Sequence, residues 1–291
     1  MLLSLSLTTT ACAAISTPGT ERPKAATSNG SAPLFQLLPR TVQTKGEVTV
    51  VTDPTYPPFE TLGGDGRSSV GLDPDLMKVI AAKLGIRARF ERAGFETIIP
   101  GLQAGRYDMA MSAMTDYKER EKKVTFVDYY RVGGAIVMKP GDPAQSAKPV
   151  ESALCGHKVA TQVGTLATQL IKDASKKCLV DGKPAIDLLS FKSVPSANLA
   201  LTAGRVTYVW TDSVTAATQV DKSGGQLAFA PTSGAPDPMG MVFPKGSTEL
   251  VKAFRAALQA VIDDGGYAKV LAKYGLSQGA VKSAEVNGAR N

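Results

Sequence analysis

The segment VTVVTDPTYPPFE, residues 48–60, and the segment GLDPDLMKVIAAKLG, residues 71–85, decide the fold class of this 291-residue chain. Residues 48–52 are mostly β-branched and predict a strand that ends at a proline-rich loop. In the second segment, Asp73 is predicted as the N-cap of a helix and Pro74 as its first helical residue. A strand, a loop and an amphipathic helix are therefore predicted to open the folded part of the chain.

The alternation of strands and helices continues along the chain and predicts an α/β fold. Residues 86–91 alternate apolar and charged side chains as a half-buried strand does, residues 96–105 predict a helix, and residues 107–113 predict the next strand. This order predicts parallel pairing with right-handed crossovers. Similar units recur at residues 157–212, so we predict two α/β lobes with similar parts.

The predicted strands end in segments that carry polar and aromatic side chains. Residues 53–56 follow the first strand, Phe95 follows the second, and residues 114–120 follow the third. Ligands of α/β sheets bind beyond the carboxyl ends of the strands, so these segments are expected to gather at one edge. Taken alone, Arg120 is better explained as a solvated charge on a helix face.

Composition limits the class of partner. The chain is 43% hydrophobic and 20% charged, enough to bury a sizeable core, and its net charge of +7 is scattered rather than concentrated in a basic block. We therefore expect no nucleic-acid partner. The single histidine, His157, has too few potential ligands nearby for a metal site and is predicted to lie on the surface, so neither a metal nor a cofactor is expected.

The N-terminus resembles the later part of a secretory signal that ends at a lipoprotein-type cleavage site before Cys12. Thr9 and the lack of a basic segment before Leu2 depart from that pattern, and an ordinary N-terminus with an unmodified cysteine is the alternative. Residues 16–33 are rich in Ser, Thr, Pro, Gly and Ala, which predicts a flexible tether extending to about Lys45. A lipid on Cys12 would hold an exported body at the outer face of the cell membrane.

The remaining cysteines fit an exported chain. Cys155 and Cys178 are the pair left if Cys12 is acylated, and an oxidising compartment would join them in a disulfide. Two buried free thiols are the alternative.

Several motifs, in their order along the chain, resemble the family 3 solute-binding proteins, the polar amino-acid-binding components of bacterial ABC importers. The resemblance covers about residues 46–276. The motifs are DPTYPPFE (53–60), GLDPDLMKVIAAKLG (71–85), FETIIPGLQAGRYD (95–108), SAMTDYKERE (112–121), VATQVGTLA (159–167), ALTAGRVTYVWTDS (200–213) and GMVFPKGSTELVKAFRAALQAVIDDGGYAKVLAKYG (240–275).

The resemblance implies a two-lobed periplasmic-binding-protein-like fold of type II, with lobes joined by two crossover strands near residues 134–139 and 239–243. The implied organisation is a signal or lipoprotein segment with linker at 1–45, a discontinuous first lobe at 46–137 and 239–278, a second lobe at 138–238, and a C-terminal tail at 279–291. The lobes are expected to close around one free amino acid and to deliver it, as a monomer, to the permease subunits of an ABC transporter.

The resemblance also implies a role for Arg120, whose planar guanidinium would hold the ligand α-carboxylate in a bidentate fork. The hydroxyl of Thr115 and the backbone N–H groups near Thr165 and Leu166 would complete that anion site. Asp212 falls where the family places the acid that pairs with the α-ammonium group. In isolation, Asp212 is also a plausible N-cap of the helix that follows it.

The ligand side chain is expected between two aromatic rings, Tyr56 and Phe95, for which core packing is the alternative. Asp53 and Gln162 match positions that meet the far end of the ligand side chain in glutamine- and histidine-binding relatives. They would favour glutamine, histidine, arginine or lysine and disfavour acidic ligands. A turn cap before Pro54 is the alternative for Asp53.

Ser112 and Ala113 complete the implied binding site, next to the Met114–Thr115 pair. The competing class is an enzyme, because cyclohexadienyl dehydratases, which act on prephenate or arogenate, resemble these binding proteins and add a positioned acid. Glu60, Glu96 and Asp116 are the possible acids, and nothing in their spacing marks one as catalytic. The expected function is therefore amino-acid binding without catalysis.

Overall fold

A computed structural model describes residues 29–290 and shows two α/β lobes, each built on its own sheet. The strands are β1 (Glu47–Thr52), β2 (Thr55–Tyr56), β3 (Glu60–Leu62), β4 (Ser69–Val70), β5 (Arg87–Arg92), β6 (Met109–Ala110), β7 (Val124–Val132), β8 (Gly134–Met138), β9 (Lys158–Gln162), β10 (Asp187–Phe191), β11 (Tyr208–Asp212), β12 (Ala228–Pro231), β13 (Asp237–Pro244) and β14 (Ala280–Val286). The α-helices are α1 (Arg40–Lys45), α2 (Leu72–Leu84), α3 (Phe95–Gln103), α4 (Lys118–Glu121), α5 (Leu166–Val180), α6 (Val194–Thr202), α7 (Ser213–Lys222), α8 (Thr248–Asp263) and α9 (Gly266–Lys273). Within this part of the chain, no helix has both the length and the apolar character needed to span a bilayer.

The first lobe contains a six-stranded sheet in the order β14-β7-β13-β6-β1-β5. Strand β1 pairs in parallel with β5 and β6, as predicted. Strands β7, β13 and β14 run antiparallel to their neighbours, so the sheet is mixed rather than fully parallel. Helices α2 and α8 pack together over it and bury apolar side chains such as Leu76 and Phe254.

The second lobe contains a five-stranded sheet in the order β10-β9-β11-β8-β12. Strand β9 pairs in parallel with β10 and β11, whereas β8 is antiparallel to β11 and β12. A disulfide joins Cys155, which precedes β9, to Cys178 near the end of α5, so the predicted pairing is confirmed. His157 is exposed and its ring lies edge-on to that of Tyr208.

Two connections join the lobes. The chain leaves the first sheet at Gly133, between β7 and β8, and returns through residues 232–236, between β12 and β13. These connections are not the crossover strands predicted at 134–139 and 239–243. Residues 134–138 form β8 of the second sheet, and residues 239–243 lie in β13 of the first. As a result, residues 134–137 belong to the second lobe instead of the first.

Helix α2 begins earlier than the sequence predicts. Its N-cap is Gly71, so Asp73 and Pro74 lie within the first turn. The side chain of Asp73 is fully buried and accepts hydrogen bonds from the hydroxyl of Tyr129 at 2.7 Å and the backbone N–H of Ala113 at 2.9 Å. Asp73 therefore connects the helix to the sheet instead of capping the helix.

Both ends of the described chain pack on the first lobe. Phe35, Leu38 and Val42 are buried against its core, so residues 29–45 are not the flexible tether that their composition predicts. The predicted tail, residues 279–291, supplies the edge strand β14, which pairs with β7. The proposed lipidation site, Cys12, lies outside the described residues.

Candidate functional site

A cavity of about 300 Å³ lies between the two lobes, where the loops that follow the strands meet. Its walls come from both sheets and from the two connections. All of the sequence-predicted site residues except Asp53 and Ser112 line it, namely Tyr56, Phe95, Ala113, Thr115, Arg120, Gln162, Thr165, Leu166 and Asp212. The tertiary structure thus brings residues separated by more than 150 positions, such as Tyr56 and Asp212, into contact.

The side chain of Arg120 is buried in the cavity wall, with the residue only 4% exposed. Its Nη1 donates to the carbonyl oxygen of Thr115 at 2.6 Å, and its Nη2 donates across the interface to the carbonyl oxygen of Gly164 at 2.7 Å. The guanidinium carbon lies 5.5 Å from the centre of the Phe95 ring and 4.8 Å from that of Tyr117. These contacts fix the plane of the guanidinium.

The charge of Arg120 has no anionic partner in the described part of the chain, since none of the ion pairs within residues 29–290 includes it. Burial lowers the pKa of Arg120 to about 10, so the group remains a cation at neutral pH. Asp116 and Tyr117 oppose this lowering of the pKa, but neither forms an ion pair with Arg120, so the buried cation is incompletely compensated. The wall around Arg120 therefore provides a site for an anion such as a carboxylate.

The start of helix α5 adds further anion donors beside Arg120. Thr165 is the N-cap, and no side chain caps the first turn. Thr165, Leu166 and Ala167 all line the cavity. The first N–H groups of a helix have no intrahelical acceptor, and the helix dipole favours negative charge there. Gly164 allows the start of helix α5 to lie close to Glu96 of the first lobe, because a Cβ atom at position 164 would lie only 3.1 Å from the Cα of Glu96.

Asp212 provides an anionic group on the second lobe. Its Oδ1 accepts the backbone N–H groups of Val214 at 2.9 Å and Thr215 at 2.8 Å, which confirms the predicted N-cap of α7. Its Oδ2 accepts the hydroxyl of Tyr56 from the first lobe. Burial raises the pKa of Asp212. One side chain therefore caps a helix, lines the cavity and contacts the opposite lobe.

The structure places Asp53 elsewhere than the sequence predicts. It does not line the cavity, and both of its carboxylate oxygens accept hydrogen bonds from protein groups. Oδ1 accepts the hydroxyl of Thr55, and Oδ2 accepts the N–H of Phe95 at 3.2 Å and the Nε2 of Gln162 at 2.8 Å. Asp53 thus links the two lobes through Gln162 and is not available to a ligand in this closed arrangement.

This link determines how Gln162 faces the cavity. Its Nε2 donates to Asp53 and to the carbonyl oxygen of Lys192 at 3.1 Å, both of which are acceptors only. The Gln162 amide must therefore turn its nitrogen towards these two acceptors. Its Oε1 is buried and has no partner among the residues that the structure describes. Gln162 consequently offers an acceptor to whatever occupies the cavity.

Ser112 lies behind the cavity wall and supports Ala113, which is in the wall. The hydroxyl of Ser112 accepts the N–H of Asp53 at 3.0 Å and donates to Glu60 at 2.9 Å. Ala113 has a φ of 43°, an uncommon conformation for alanine, and its N–H is held by Asp73. Burial raises the pKa of Glu60 well above its usual value and that of Asp73 to about 6, and the negative charge of Asp73 adds to the rise at Glu60.

Several cavity residues were missed by the sequence interpretation. Glu151, Thr232, Ser233 and Asp237 line the wall near the returning connection, and Trp210 lines it as well. No sequence signal marks Glu151, because it lies in a short 3₁₀ helix outside the predicted strands and helices. Within residues 29–290, no group of three or more potential ligands is arranged to hold a metal ion.

The acids considered for an enzyme do not reach the cavity. Glu60 is fully buried behind Ser112, and Asp116 is buried where it accepts the N–H of Ala289 near the C-terminus. Glu96 follows Phe95 on helix α3 but is absent from the cavity wall. None of the three is therefore positioned to donate a proton to a molecule in this cavity.

Comparison with known proteins identifies close counterparts of this architecture. Residues 48–277 match the model of the bacterial extracellular solute-binding proteins, family 3. An arginine-binding protein of Corynebacterium glutamicum is 30% identical over 252 residues, which cover 86% of this chain and 81% of that protein. The structure of an ancestral arginine-binding protein bound to arginine is similar with a TM-score of 0.72 and 32% identity, over 79% of this chain and 98% of that one. An ancestral amino acid-binding protein, described as a precursor of cyclohexadienyl dehydratase, is similar with a TM-score of 0.70 and 29% identity, over 80% of this chain and 97% of that one.

Proposed function

Since this chain belongs to the bacterial extracellular solute-binding proteins of family 3, we propose that its interlobe cavity binds a polar or basic L-amino acid, with L-arginine preferred. The observation that carries the proposal is the buried guanidinium of Arg120, which has no carboxylate partner within residues 29–290. The ligand α-carboxylate is the missing partner, held by Arg120, the hydroxyl of Thr115 and the N–H groups at the start of helix α5.

The α-ammonium group of the ligand pairs with Asp212. This carboxylate is buried in the second lobe, and its Oδ2 already accepts the hydroxyl of Tyr56 from the first. A cation beside it offsets the burial that raises its pKa. An amino acid held by Arg120 at one end and Asp212 at the other bridges the lobes, so ligand occupancy stabilises the closed arrangement.

The ligand side chain lies between the rings of Tyr56 and Phe95 and carries a hydrogen-bond donor. The free acceptor at Oε1 of Gln162 supports a donor-bearing side chain. Arginine, lysine, histidine and glutamine satisfy this requirement, whereas an acidic side chain leaves that acceptor unpaired. Arginine is preferred because the relative from Corynebacterium glutamicum and the ancestral protein are both named for it.

The relatives are solute-binding proteins of transport systems, and this chain is likewise a binding protein and not an enzyme. We propose that the closed form delivers its ligand to the membrane permease of an ABC transporter and that it acts as a monomer. We also propose that Cys12 carries a lipid anchor at the outer face of the membrane, on the sequence pattern that precedes it. Replacement of Cys12 by Ser would then release the protein from membranes into the soluble fraction.

Titration calorimetry tests the ligand assignment. The full chain is unfolded and refolded under non-reducing conditions, to remove any ligand that it carries, and titrated with the twenty amino acids, prephenate and arogenate. We expect micromolar or tighter binding of arginine, weaker binding of other donor-bearing amino acids, and no binding of aspartate or glutamate. Tight binding of acidic amino acids would contradict the side-chain assignment, and turnover of prephenate would contradict the binding function.

A further inference from the structure

An acidic residue outside the predicted site, Glu151, lines the cavity near the returning connection. It lies in the short 3₁₀ helix Val150–Ala153, just before the disulfide-bonded Cys155. Its Oε1 accepts both the backbone N–H of Ser233 at 2.8 Å and the hydroxyl of Ser233 at 3.0 Å. These two bonds fix the position of the carboxylate.

The second oxygen of Glu151 is unused. Oε2 is buried and has no hydrogen-bond partner among residues 29–290, and no basic side chain in that range forms an ion pair with the carboxylate. A buried carboxylate oxygen without a donor is energetically unfavourable. A donor supplied from the cavity, above all a cationic one, would satisfy it.

The charges of the cavity wall also favour a cationic group in the cavity. Within the described residues, Arg120 is the one basic side chain in the wall, whereas Asp212, Asp237 and Glu151 are acidic. An amino-acid ligand places its carboxylate on Arg120 and its ammonium on Asp212. Two acids then remain without a counter-charge from the ligand backbone, although the chain as a whole carries a net charge of +7.

Of these two acids, Glu151 is the less compensated. Asp237 has the positive charge of Arg131 nearby, which opposes the effect of burial on the Asp237 pKa. The hydrogen-bond donors to Glu151 within residues 29–290 are the neutral N–H and hydroxyl of Ser233. Glu151 therefore provides the stronger attraction for a cation in the cavity.

We propose that Glu151, positioned by Ser233, determines specificity for the positive charge on the side chain of the ligand. This inference rests on the proposed function, and it separates cationic ligands from neutral donor-bearing ones such as glutamine. Gln162 supplies an acceptor that any donor can use, whereas Glu151 supplies a charge. Together they select a basic amino acid over a merely polar one.

The test compares arginine with citrulline, which has nearly the same shape but no charge on its side chain. Both are titrated into the refolded full chain, into the Glu151→Gln variant, and into a control variant, Asp221→Asn, which removes an exposed acid from the second lobe. We expect Glu151→Gln to weaken arginine binding about ten- to one-hundred-fold and to change citrulline binding about two-fold or less. Asp221→Asn should leave both affinities unchanged.

The affinities for arginine and citrulline are compared within the same preparation of each protein. A lower fraction of folded protein therefore affects both measurements equally and does not change their ratio. If Glu151→Gln leaves the ratio of arginine affinity to citrulline affinity unchanged, whether or not both affinities fall, the role of Glu151 is overturned and the proposed function remains intact. If the wild-type chain binds none of the twenty amino acids, the proposed function fails and this inference fails with it, whereas binding of other amino acids but of neither arginine nor citrulline would overturn this inference alone.

Discussion

The Nη2 of Arg120, in the first lobe, donates to the carbonyl oxygen of Gly164, in the second lobe, at 2.7 Å. The guanidinium therefore ends directly beside the unpaired N–H groups at the start of helix α5. Neither lobe alone supplies this arrangement, because the cation and the helix start lie on different sheets. The anion site is complete only when the lobes are closed, which connects ligand binding to closure.

Replacing Arg120 by Ala should weaken arginine binding by about 2–5 kcal/mol, because the ligand carboxylate would be buried without its charged partner. The free energy of unfolding should change little, since the variant also removes a buried cation that is uncompensated when the cavity is empty. Calorimetry and urea unfolding measure the two effects. Arg205→Ala, at an exposed position of the second lobe, is the control. Normal binding by Arg120→Ala would contradict the assigned carboxylate site.

Two substitutions separate the roles of Asp212. Asparagine remains a good N-cap, so Asp212→Asn should keep helix α7 intact while it weakens binding by removing the charge that pairs with the ligand ammonium. Asp212→Ala should weaken binding and also lower the free energy of unfolding by about 1 kcal/mol through loss of the cap. Calorimetry and urea unfolding again report each effect. Equal binding by Asp212→Asn and the wild type would exclude Asp212 as the ammonium partner.

The hydrogen bond between Asp53 and Gln162 should contribute to ligand affinity, because it forms between the lobes. A double-mutant cycle of Asp53→Ala and Gln162→Ala is expected to show a coupling of about 1 kcal/mol in the free energy of arginine binding. The ion pair of Lys45 and Asp108 lies within the first lobe and provides a control cycle. Coupling absent from the first cycle, or equal in both, would show that the Asp53–Gln162 bond does not contribute to closure.

Glu60→Gln should stabilise the protein at neutral pH, since the amide keeps the hydrogen bonds of a protonated Glu60. The pKa of Glu60 is raised above its unfolded value by burial, so over the pH range between the two pKa values the folded state holds a proton that the unfolded state has lost. Wild-type stability therefore falls as pH rises above the unfolded pKa, by up to about 1.4 kcal/mol per unit. The pKa of Asp73, about 6, acts in the same direction.

Urea unfolding between pH 4 and pH 8 measures this difference. The advantage of Glu60→Gln should be largest at the upper end of this range and should shrink towards pH 4, where the unfolded carboxyl group is also protonated. Glu249→Gln, at an exposed position of helix α8, serves as the control. An advantage that does not depend on pH would show that Glu60 is not a buried protonated acid.

Loss of the disulfide should lower stability without abolishing binding. The bond closes a loop with a sequence separation of 23 residues, which corresponds to about 3 kcal/mol of unfolding free energy in the chain-entropy model. Replacing Cys155 and Cys178 together by Ser should show this loss in urea unfolding, while Cys12→Ser should not. A double variant as stable as the wild type would mean that the bond does not constrain the unfolded chain.

Much of the fold was predictable because its signals are local. The β-branched run of β1, the apolar face of α2 and the cap at Asp212 each depend on a few neighbouring residues, and the structure contains all three. The family resemblance adds the positions of nine of the residues that line the cavity. The local pattern gives the wrong N-cap at Asp73. The residues around Asp73 are typical of a helix start, but its side chain accepts hydrogen bonds from Ala113 and Tyr129, which are far along the chain.

The sequence alone indicates the order of the elements, the family and nine of the residues that line the cavity. The tertiary structure decides which polar groups remain available there. Asp53 is occupied by Gln162, 109 positions away, and Glu151 is brought to the cavity wall by Ser233, 82 positions away. Residues 29–45 and 280–286 pack on the first lobe for a similar reason, because burial depends on the surfaces that folding brings beside them. Local periodicity carries no information about such distant partners.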